Sequence, residues 1–172
     1  MSGFAGFVSA GGDAPDPHLL ERMAARLAFR GPDAAQIWSR AGAGFCFTLL
    51  RTGPAPQASE QPCTLDGRVW LLGDVRLDGR EDLRRELEQR DESIPATATD
   101  EELVLRAWRQ WGETGLAKLL GDYSFALWDE TARRLWCVRD LIGTRPVFYT
   151  QSADRFYFSN TLEVLQIGGA HV

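Results

Sequence analysis

Hydrophobic residues recur with two different spacings along this chain of 172 residues. Leu19, Leu20, Met23 and Leu27 follow the three- and four-residue spacing of an amphipathic helix, which predicts a helix over residues 18–29. Alternating or continuous apolar runs are instead typical of strands. The predicted strands cover residues 3–8, 37–38, 44–50, 68–75, 123–128, 134–138, 147–149 and 156–159.

Further helices are predicted between the two groups of strands, over residues 81–89 and 113–119. Between these two, Thr99 and Glu102 stand three residues apart ahead of an apolar run, which is the spacing of a helix capping box. Strands in runs, with the helices grouped between them, favour an α+β fold in layers over a parallel sheet. No regular element is predicted at residues 11–17, 54–59, 93–98 and 162–172.

Composition limits the chain to one domain, residues 1–172, because its 44% hydrophobic content supports one sizeable core and the length is short for two. The net charge of −5 and the single lysine, Lys118, give no basic stripe for nucleic acid. The longest apolar runs, such as residues 69–72, fall far below the roughly 20 residues that span a membrane. With no secretory signal at its start, the chain is expected in the cytoplasm. The sequence does not decide whether the domain self-associates.

Cysteine and histidine positions indicate neither a disulfide frame nor a metal site. The three cysteines are widely spaced, and Cys46 and Cys137 lie inside apolar runs, where reduced cysteine packs as a small hydrophobic residue. His18 and His171 are far from each other and from the cysteines. No zinc motif can be assembled from these residues, and no metal is expected.

Five short motifs occur in one order along nearly the whole chain. They are Ser2-Gly3-Phe4-Ala5-Gly6, Arg30-Gly31-Pro32-Asp33, Gln61-Pro62, residues 121–129 (GDYSFALWD) and residues 139–149 (RDLIGTRPVFY). With these motifs the chain resembles the class II glutamine amidotransferase domain that begins asparagine synthetases. The resemblance implies the fold of the N-terminal nucleophile hydrolases, a four-layer αββα sandwich of two antiparallel sheets. It also implies an activity, the hydrolysis of glutamine to glutamate and ammonia.

The resemblance places the catalytic nucleophile at Ser2, where the family carries a cysteine. Removal of Met1 would free the α-amine of Ser2 to act as the general base. Serine is the weaker choice, since a thiolate is far more available near neutral pH than an alkoxide. Two interpretations therefore stay open: Ser2 is an N-terminal nucleophile, or it is a small residue that remained at a tight strand start after catalysis was lost.

The resemblance also assigns the groups that would stabilise the oxyanion. The family uses an Asn side chain and the N–H of the next glycine, and the matching pair in this chain is Leu72-Gly73. Gly73 can still offer its N–H, but Leu72 has no amide. Losing one such donor costs on the order of 10² to 10³ in rate. Leu72 is most simply explained as a core residue of a strand.

Glutamine binding in the family uses an arginine for the carboxylate and acidic groups for the α-amine, and Arg51, Asp74 and Asp100 match these positions. Each of these three residues can also be explained without a bound ligand. Asp100 lies in the first turn of a predicted helix, where the helix dipole favours an acid without any ligand. Arg51 and Asp74 are also explained as surface charges at strand ends.

In the family, ammonia passes to an ATP- and magnesium-dependent synthetase domain, whose Ser-Gly-Gly-x-Asp-Ser type loop is not found in this sequence. This domain itself is therefore expected to need no cofactor, and a synthetase domain is its expected partner, in cis or in trans. Residues 73–83 are similar to a subgroup that includes lasso-peptide macrolactam cyclases, in which a peptide amine replaces ammonia. The sequence favours a scaffold or docking domain whose glutaminase activity is lost or very weak. The alternatives are a glutaminase that uses Ser2 and a hydrolase for another amide.

Overall fold

The computed structural model describes residues 1–12, 15–40, 42–52, 60–90 and 93–168. Within these residues the chain forms nine strands and five helices, numbered in their order along the sequence. The strands are β1 (Gly3–Ser9), β2 (Ala34–Arg40), β3 (Ala43–Leu49), β4 (Cys63–Thr64), β5 (Val69–Leu77), β6 (Gly121–Asp129), β7 (Arg134–Arg139), β8 (Phe148–Ser152) and β9 (Arg155–Ser159). The helices are α1 (Pro17–Leu27), α2 (Arg80–Glu88), α3 (Asp100–Trp111), α4 (Glu113–Leu116) and α5 (Leu162–Ile167).

The strands form two antiparallel sheets that lie face to face. The first has the order β2-β3-β1-β9-β8 and the second the order β4-β5-β6-β7. β1 lies in the middle of the first sheet, paired with β3 and β9, and it contacts β5 across the interface between the sheets. β7 and β8 are the strands at one edge of each sheet, and residues 140–147 connect them.

Three apolar clusters separate four layers. One fills the space between the sheets and contains Phe4, Phe45 and Leu72. A second packs α1 and α5 on the first sheet, and a third packs α2 and α3 on the second sheet. Side chains alternate between layers as the two-residue period of a strand requires, so Leu71 joins the helical layer and Leu72 the layer between the sheets. The predicted four-layer αββα sandwich is confirmed.

Several local predictions were wrong. α5 and β4 were not predicted, because they are six and two residues long and too short for a periodic pattern to emerge. β2 is seven residues long and extends well beyond the predicted residues 37–38, because this edge strand alternates in exposure but not in polarity, so its sequence carries no clear strand pattern. α4 ends at Leu116, earlier than predicted. The predicted loop at residues 54–59 lies outside the described residues.

The start of α3 follows the prediction in part. Thr99 Oγ1 accepts a hydrogen bond from the N–H of Glu102 at 3.2 Å, as in a capping box. The Glu102 side chain, however, does not return to Thr99; it pairs with Arg106 one turn later, at 2.7 Å. The helix therefore has half of the predicted box, and the Glu102–Arg106 pair supports its first turns instead.

No helix among the described residues is long and apolar enough to cross a membrane. The same residues contain no group of three or more His, Cys, Asp or Glu side chains arranged to hold a metal ion. The three cysteines are free thiols, and burial raises the pKa of the Cys46 thiol to about 12. Cys46 is therefore an unreactive core residue.

Candidate active site

Ser2 lies at the start of the central strand β1 and is buried, with 7% of its surface exposed. Its Oγ accepts a hydrogen bond from the N–H of Leu50 at 3.2 Å, just beyond the end of β3. Since residues 2 and 4 share one face of the strand, Ser2 lies on the same face as Phe4, toward β5. With Met1 in place, the nitrogen of Ser2 belongs to a peptide bond and cannot act as a base.

Asn160 fixes the backbone on either side of Ser2. Its Nδ2 donates to the carbonyl of Ser2 at 2.8 Å, and its Oδ1 accepts from the N–H of Phe4 at 3.1 Å. Asn160 is 3% exposed and follows β9 directly. Sequence reasoning missed this residue, although its place just after the strand that pairs with β1 was a usable signal. Asn160 positions the strand start and thereby Ser2.

Leu72 occupies the position at which the family that this chain resembles carries an asparagine. It is 1% exposed and belongs to the apolar cluster between the sheets, together with Phe4 and Ala126. Its place in β5 is fixed by pairing with Ala126 of β6. The interpretation of Leu72 as a core residue is the one that the structure supports, and no side-chain donor exists at this position.

Gly73 follows Leu72, and one side chain binds both its backbone N–H and its backbone carbonyl. The Gly73 N–H donates to Oε1 of Gln61 at 2.7 Å, and the Gly73 carbonyl accepts from Nε2 of Gln61 at 2.9 Å. A side chain could not replace glycine here, since an added Cβ would lie 2.3 Å from Cβ of Phe125. The backbone donor predicted for the oxyanion is thus already bound within the protein.

Gln61 is the second residue whose role sequence reasoning missed, although the Gln61-Pro62 motif had been singled out. It is 5% exposed, and its own N–H donates to Oε1 of Gln36 at 2.8 Å. Its Nε2 also approaches Oε1 of Glu101 at 3.4 Å, and burial raises the pKa of that carboxyl. Because β4 pairs with only the start of β5, Gln61 continues the hydrogen bonding of the sheet beyond β4.

Asp74, predicted as a ligand for a substrate amine, already has a cationic partner. Nη1 of Arg145 lies 2.6 Å from Oδ2 of Asp74, and the two side chains are 14% and 15% exposed. Neither of these buried atoms has a hydrogen-bond partner elsewhere among the described residues. The surface-charge interpretation of Asp74 is therefore wrong, because the carboxylate lies mostly below the surface against Arg145.

The loop that carries Arg145 is built around Asp140. Asp140 is 3% exposed, and its two carboxylate oxygens accept from the N–H groups of Thr144 and Arg145 at 2.9 and 3.1 Å. Burial acts to raise the pKa of Asp140, but these N–H groups, that of Gly143 and the Thr144 hydroxyl together lower it to about 2. The loop is held in one shape and delivers Arg145 to Asp74.

The carboxylate of Asp100, the second predicted ligand for the substrate amine, is also bound by other groups of the domain. Oδ2 accepts from the N–H of Leu77 at 2.9 Å, and Oδ1 forms an ion pair with Arg80. Arg80 in turn donates to the carbonyl of Ala98. The carboxylate thus joins the end of β5 to the starts of α2 and α3, a structural role that the helix dipole alone did not predict.

Arg51 is exposed and lies next to Leu50, whose N–H contacts Ser2. The Arg51 N–H donates to Oδ2 of Asp33 at 2.6 Å, which ties the segment after β3 to the residue before β2. No ion pair joins the Arg51 guanidinium to another described residue. Of the predicted ligands, Arg51 alone has no ion-pair partner within the described ranges, and it lies next to the residue that contacts the candidate nucleophile.

The predicted residues fall into two groups. Ser2 and Arg51 lie together at the junction of β1 and β3, whereas Gly73, Asp74 and Asp100 lie along β5 and the start of α3. Within the described part of the chain, no hydrogen bond or ion pair joins one group to the other. Three cavities with described linings, of about 200, 250 and 350 Å³, lie elsewhere and include none of these residues.

A family model described as a glutamine amidotransferase domain matches residues 1–170. The chain belongs to the class II glutamine amidotransferase family. Among its curated relatives, asparagine synthetase [glutamine-hydrolyzing] 3 of Bacillus subtilis is 30% identical over 153 residues, covering 87% of this chain and 25% of that protein. A putative asparagine synthetase [glutamine-hydrolyzing] of Mycobacterium tuberculosis is 30% identical over 168 residues, covering 89% of this chain and 26% of that protein. The amidotransferase domain thus spans about a quarter of the length of these relatives.

Solved structures agree on the fold. The glutamine phosphoribosylpyrophosphate amidotransferase of B. subtilis, in complex with ADP and GMP, superimposes with a TM-score of 0.74 at 19% identity. The match covers 97% of this chain and 43% of that one. A second structure, of the allosteric regulatory enzyme of purine biosynthesis, gives a TM-score of 0.79 at 17% identity with the same two coverages. The N-terminal nucleophile hydrolase fold is therefore confirmed for this domain.

Proposed function

We propose that this amidotransferase domain has lost glutaminase activity, or keeps only a trace of it, and serves as the scaffold of an ATP-dependent amide-forming synthetase. The observation that carries the proposal is the burial of Leu72 between the sheets. An oxyanion needs donors aimed at it, and an alkyl side chain at this position supplies none. Restoring the donor would require a polar amide inside the sandwich core.

Three further features support the same conclusion. The remaining donor, the N–H of Gly73, is bound to Gln61. The acids proposed for the substrate amine, Asp74 and Asp100, are each paired with an arginine of the domain itself. All of these groups are satisfied within the fold, which is what a domain retained for its structure would show.

The scaffold role rests on the length of the relatives. They are named asparagine synthetases, and this domain spans about a quarter of each. The partner we propose is a synthetase segment that activates a carboxylate with ATP and magnesium, in cis or in trans, in the cytoplasm. If the acceptor amine comes from a peptide, as in the macrolactam cyclases that residues 73–83 resemble, the synthetase would need no ammonia.

One observation favours the alternative of an active amidohydrolase with Ser2 as its nucleophile. Ser2 is held in place by Leu50 and Asn160 at the start of β1, and the exposed Arg51 follows Leu50. Activity would still require removal of Met1, because only the free amine of Ser2 can take the hydroxyl proton.

The two functions are separated by measuring ammonia release from glutamine, with the intact mass of the same preparation. The scaffold proposal predicts that wild type and Ser2→Ala release ammonia at the same background rate, even where the mass shows that Met1 has been removed. A wild-type rate clearly above that of Ser2→Ala would establish Ser2 as a working nucleophile and overturn the proposal.

A further inference from the structure

The tip of the loop between β7 and β8 presents two apolar side chains to water. Leu141 is 101% exposed and Ile142 is 89% exposed, the two highest values among the large hydrophobic residues that the structure describes. Fully burying such a side chain is worth about 1.5–3 kcal/mol, and neither residue contributes that to the domain. Their placement is therefore unfavourable unless another surface covers them.

Hydrogen bonds fix the conformation of this loop. The buried carboxylate of Asp140 binds the N–H groups of Thr144 and Arg145, and the Asp140 N–H donates to the carbonyl of Tyr123 at 2.9 Å. Gly143 closes the turn with a φ of 75°, a conformation that suits glycine. The protein thus uses a buried charge to hold Leu141 and Ile142 outward in a fixed position.

Both sheets end beside this loop. β7 and β8 are edge strands, and an uncovered edge invites pairing with another chain. Tyr149 of β8 is 68% exposed, and a cavity of about 350 Å³ lies between the two edges. The cavity is lined by Cys137, Val138, Arg139, Val147 and Tyr149. We define the edge surface as Leu141, Ile142, Tyr149 and this cavity.

The charge of the edge surface comes from Arg139, which is exposed and lines the cavity, whereas Arg145 of the same loop is paired with Asp74 and the carboxylate of Asp140 is buried. The surface is thus locally basic in a chain whose net charge is −5. A second copy of the domain, docked through the same surface across a two-fold axis, would bring two Arg139 side chains into one interface. An acidic partner with an apolar centre fits the surface better.

We propose that the edge surface is the docking site of the synthetase segment, with Leu141 and Ile142 as the apolar anchors. This inference rests on the scaffold function and specifies where the partner binds. About three quarters of each curated relative lies beyond the region that this domain matches, which provides a partner of sufficient size. We infer that the contacting face of the synthetase carries an apolar pocket rimmed by acidic side chains.

Photo-crosslinking in the native cell tests the surface on the full-length protein. Benzoylphenylalanine replaces Ile142 in one variant and Ile37 in another; Ile37 is the matched control, an isoleucine 47% exposed on the opposite edge strand β2. The expected result is a cross-link from position 142, and not from 37, to peptides of an ATP-dependent synthetase segment in the same or another chain. A cross-link only to a second copy, only to unrelated proteins, equally from both positions, or from neither overturns the docking site.

Substitution supplies a second readout. The double variant Leu141→Ser/Ile142→Ser should weaken retention of the synthetase segment at least tenfold, measured by co-purification of separate chains or by protease cleavage between tethered domains. Its melting temperature should stay that of wild type, because both side chains are already in water. Unchanged retention overturns the docking site even where the protein has no glutaminase activity, whereas Ser2-dependent ammonia release overturns the scaffold function whatever the cross-link shows.

Discussion

The side chain of Gln61 forms two hydrogen bonds with the backbone of Gly73, one accepted from its N–H at 2.7 Å and one donated to its carbonyl at 2.9 Å. The contact places a carboxamide of the protein against the backbone donor that oxyanion chemistry would need. Two departures from a working site thus meet at consecutive residues: Leu72 offers no amide, and the N–H of Gly73 is occupied.

Gln61→Ala should destabilise the domain by about 1–3 kcal/mol, because a buried N–H and a buried carbonyl lose their partner. Chemical denaturation measures this change in the free energy of unfolding. Gln110→Ala, at an exposed position of α3, is the control and should stay within about 0.5 kcal/mol of wild type. Equal stability of Gln61→Ala and wild type would mean that the N–H and the carbonyl of Gly73 find other hydrogen-bond partners.

Leu72→Asn should cost about 2–5 kcal/mol, since it removes apolar contacts between the sheets and buries an amide there. Leu72→Met keeps the volume and should cost less than about 1.5 kcal/mol. Thermal and denaturant unfolding of the two variants beside wild type measures both. If Leu72→Asn were as stable as Leu72→Met, the position would have room for a polar group, against the core role assigned to it.

Asp74 and Arg145 should depend on each other for stability. Each single alanine substitution leaves one mostly buried charge unpaired and should cost about 1–3 kcal/mol. The double variant Asp74→Ala/Arg145→Ala should lose less than the sum of the two, with a coupling of about 0.5–3 kcal/mol in a double-mutant cycle. Additive losses would show that the pair does not form and would return Asp74 to the set of potential substrate ligands.

The domain should lose stability in acid partly through Asp140. Its pKa is lowered to about 2, below the ordinary value of about 3.9, so its contribution is complete above roughly pH 5 and declines as the pH falls from about 4 towards 2. Asp140→Asn should be less stable than wild type at pH 7 by about 1–3 kcal/mol. Denaturant unfolding from pH 7 to 2 should show the difference shrinking toward low pH, and a difference independent of pH would contradict this role.

The sequence predicted the layers of the fold well because they follow from periodic burial. Leu20 and Met23 repeat at helical spacing, and the central strands read as apolar runs. The short β4 and α5 carried no such signal, since two and six residues contain less than the repeats that a pattern needs. β2 was predicted too short because its apolar and polar side chains do not alternate, although their exposure does.

The site was harder to predict, because its state depends on contacts between distant segments. The sequence placed Asp74 and Asp100 at plausible positions, but their partners Arg145 and Arg80 are 71 and 20 residues away in the chain. Asn160 contacts Ser2 across 158 residues. Only the pairing of β1 with β9 brings that contact about, and no local spacing in the sequence encodes it.

The central claim is that the oxyanion site is lost as well as the nucleophile. The most direct test is ammonia release from glutamine by Ser2→Cys, on protein whose intact mass shows that Met1 is removed. A free N-terminal cysteine supplies the thiol and the base. The account predicts a rate within twofold of Ser2→Ala. A rate ten or more times that of Ser2→Ala would show that Leu72 and the bound Gly73 N–H still permit the chemistry, and would contradict the account.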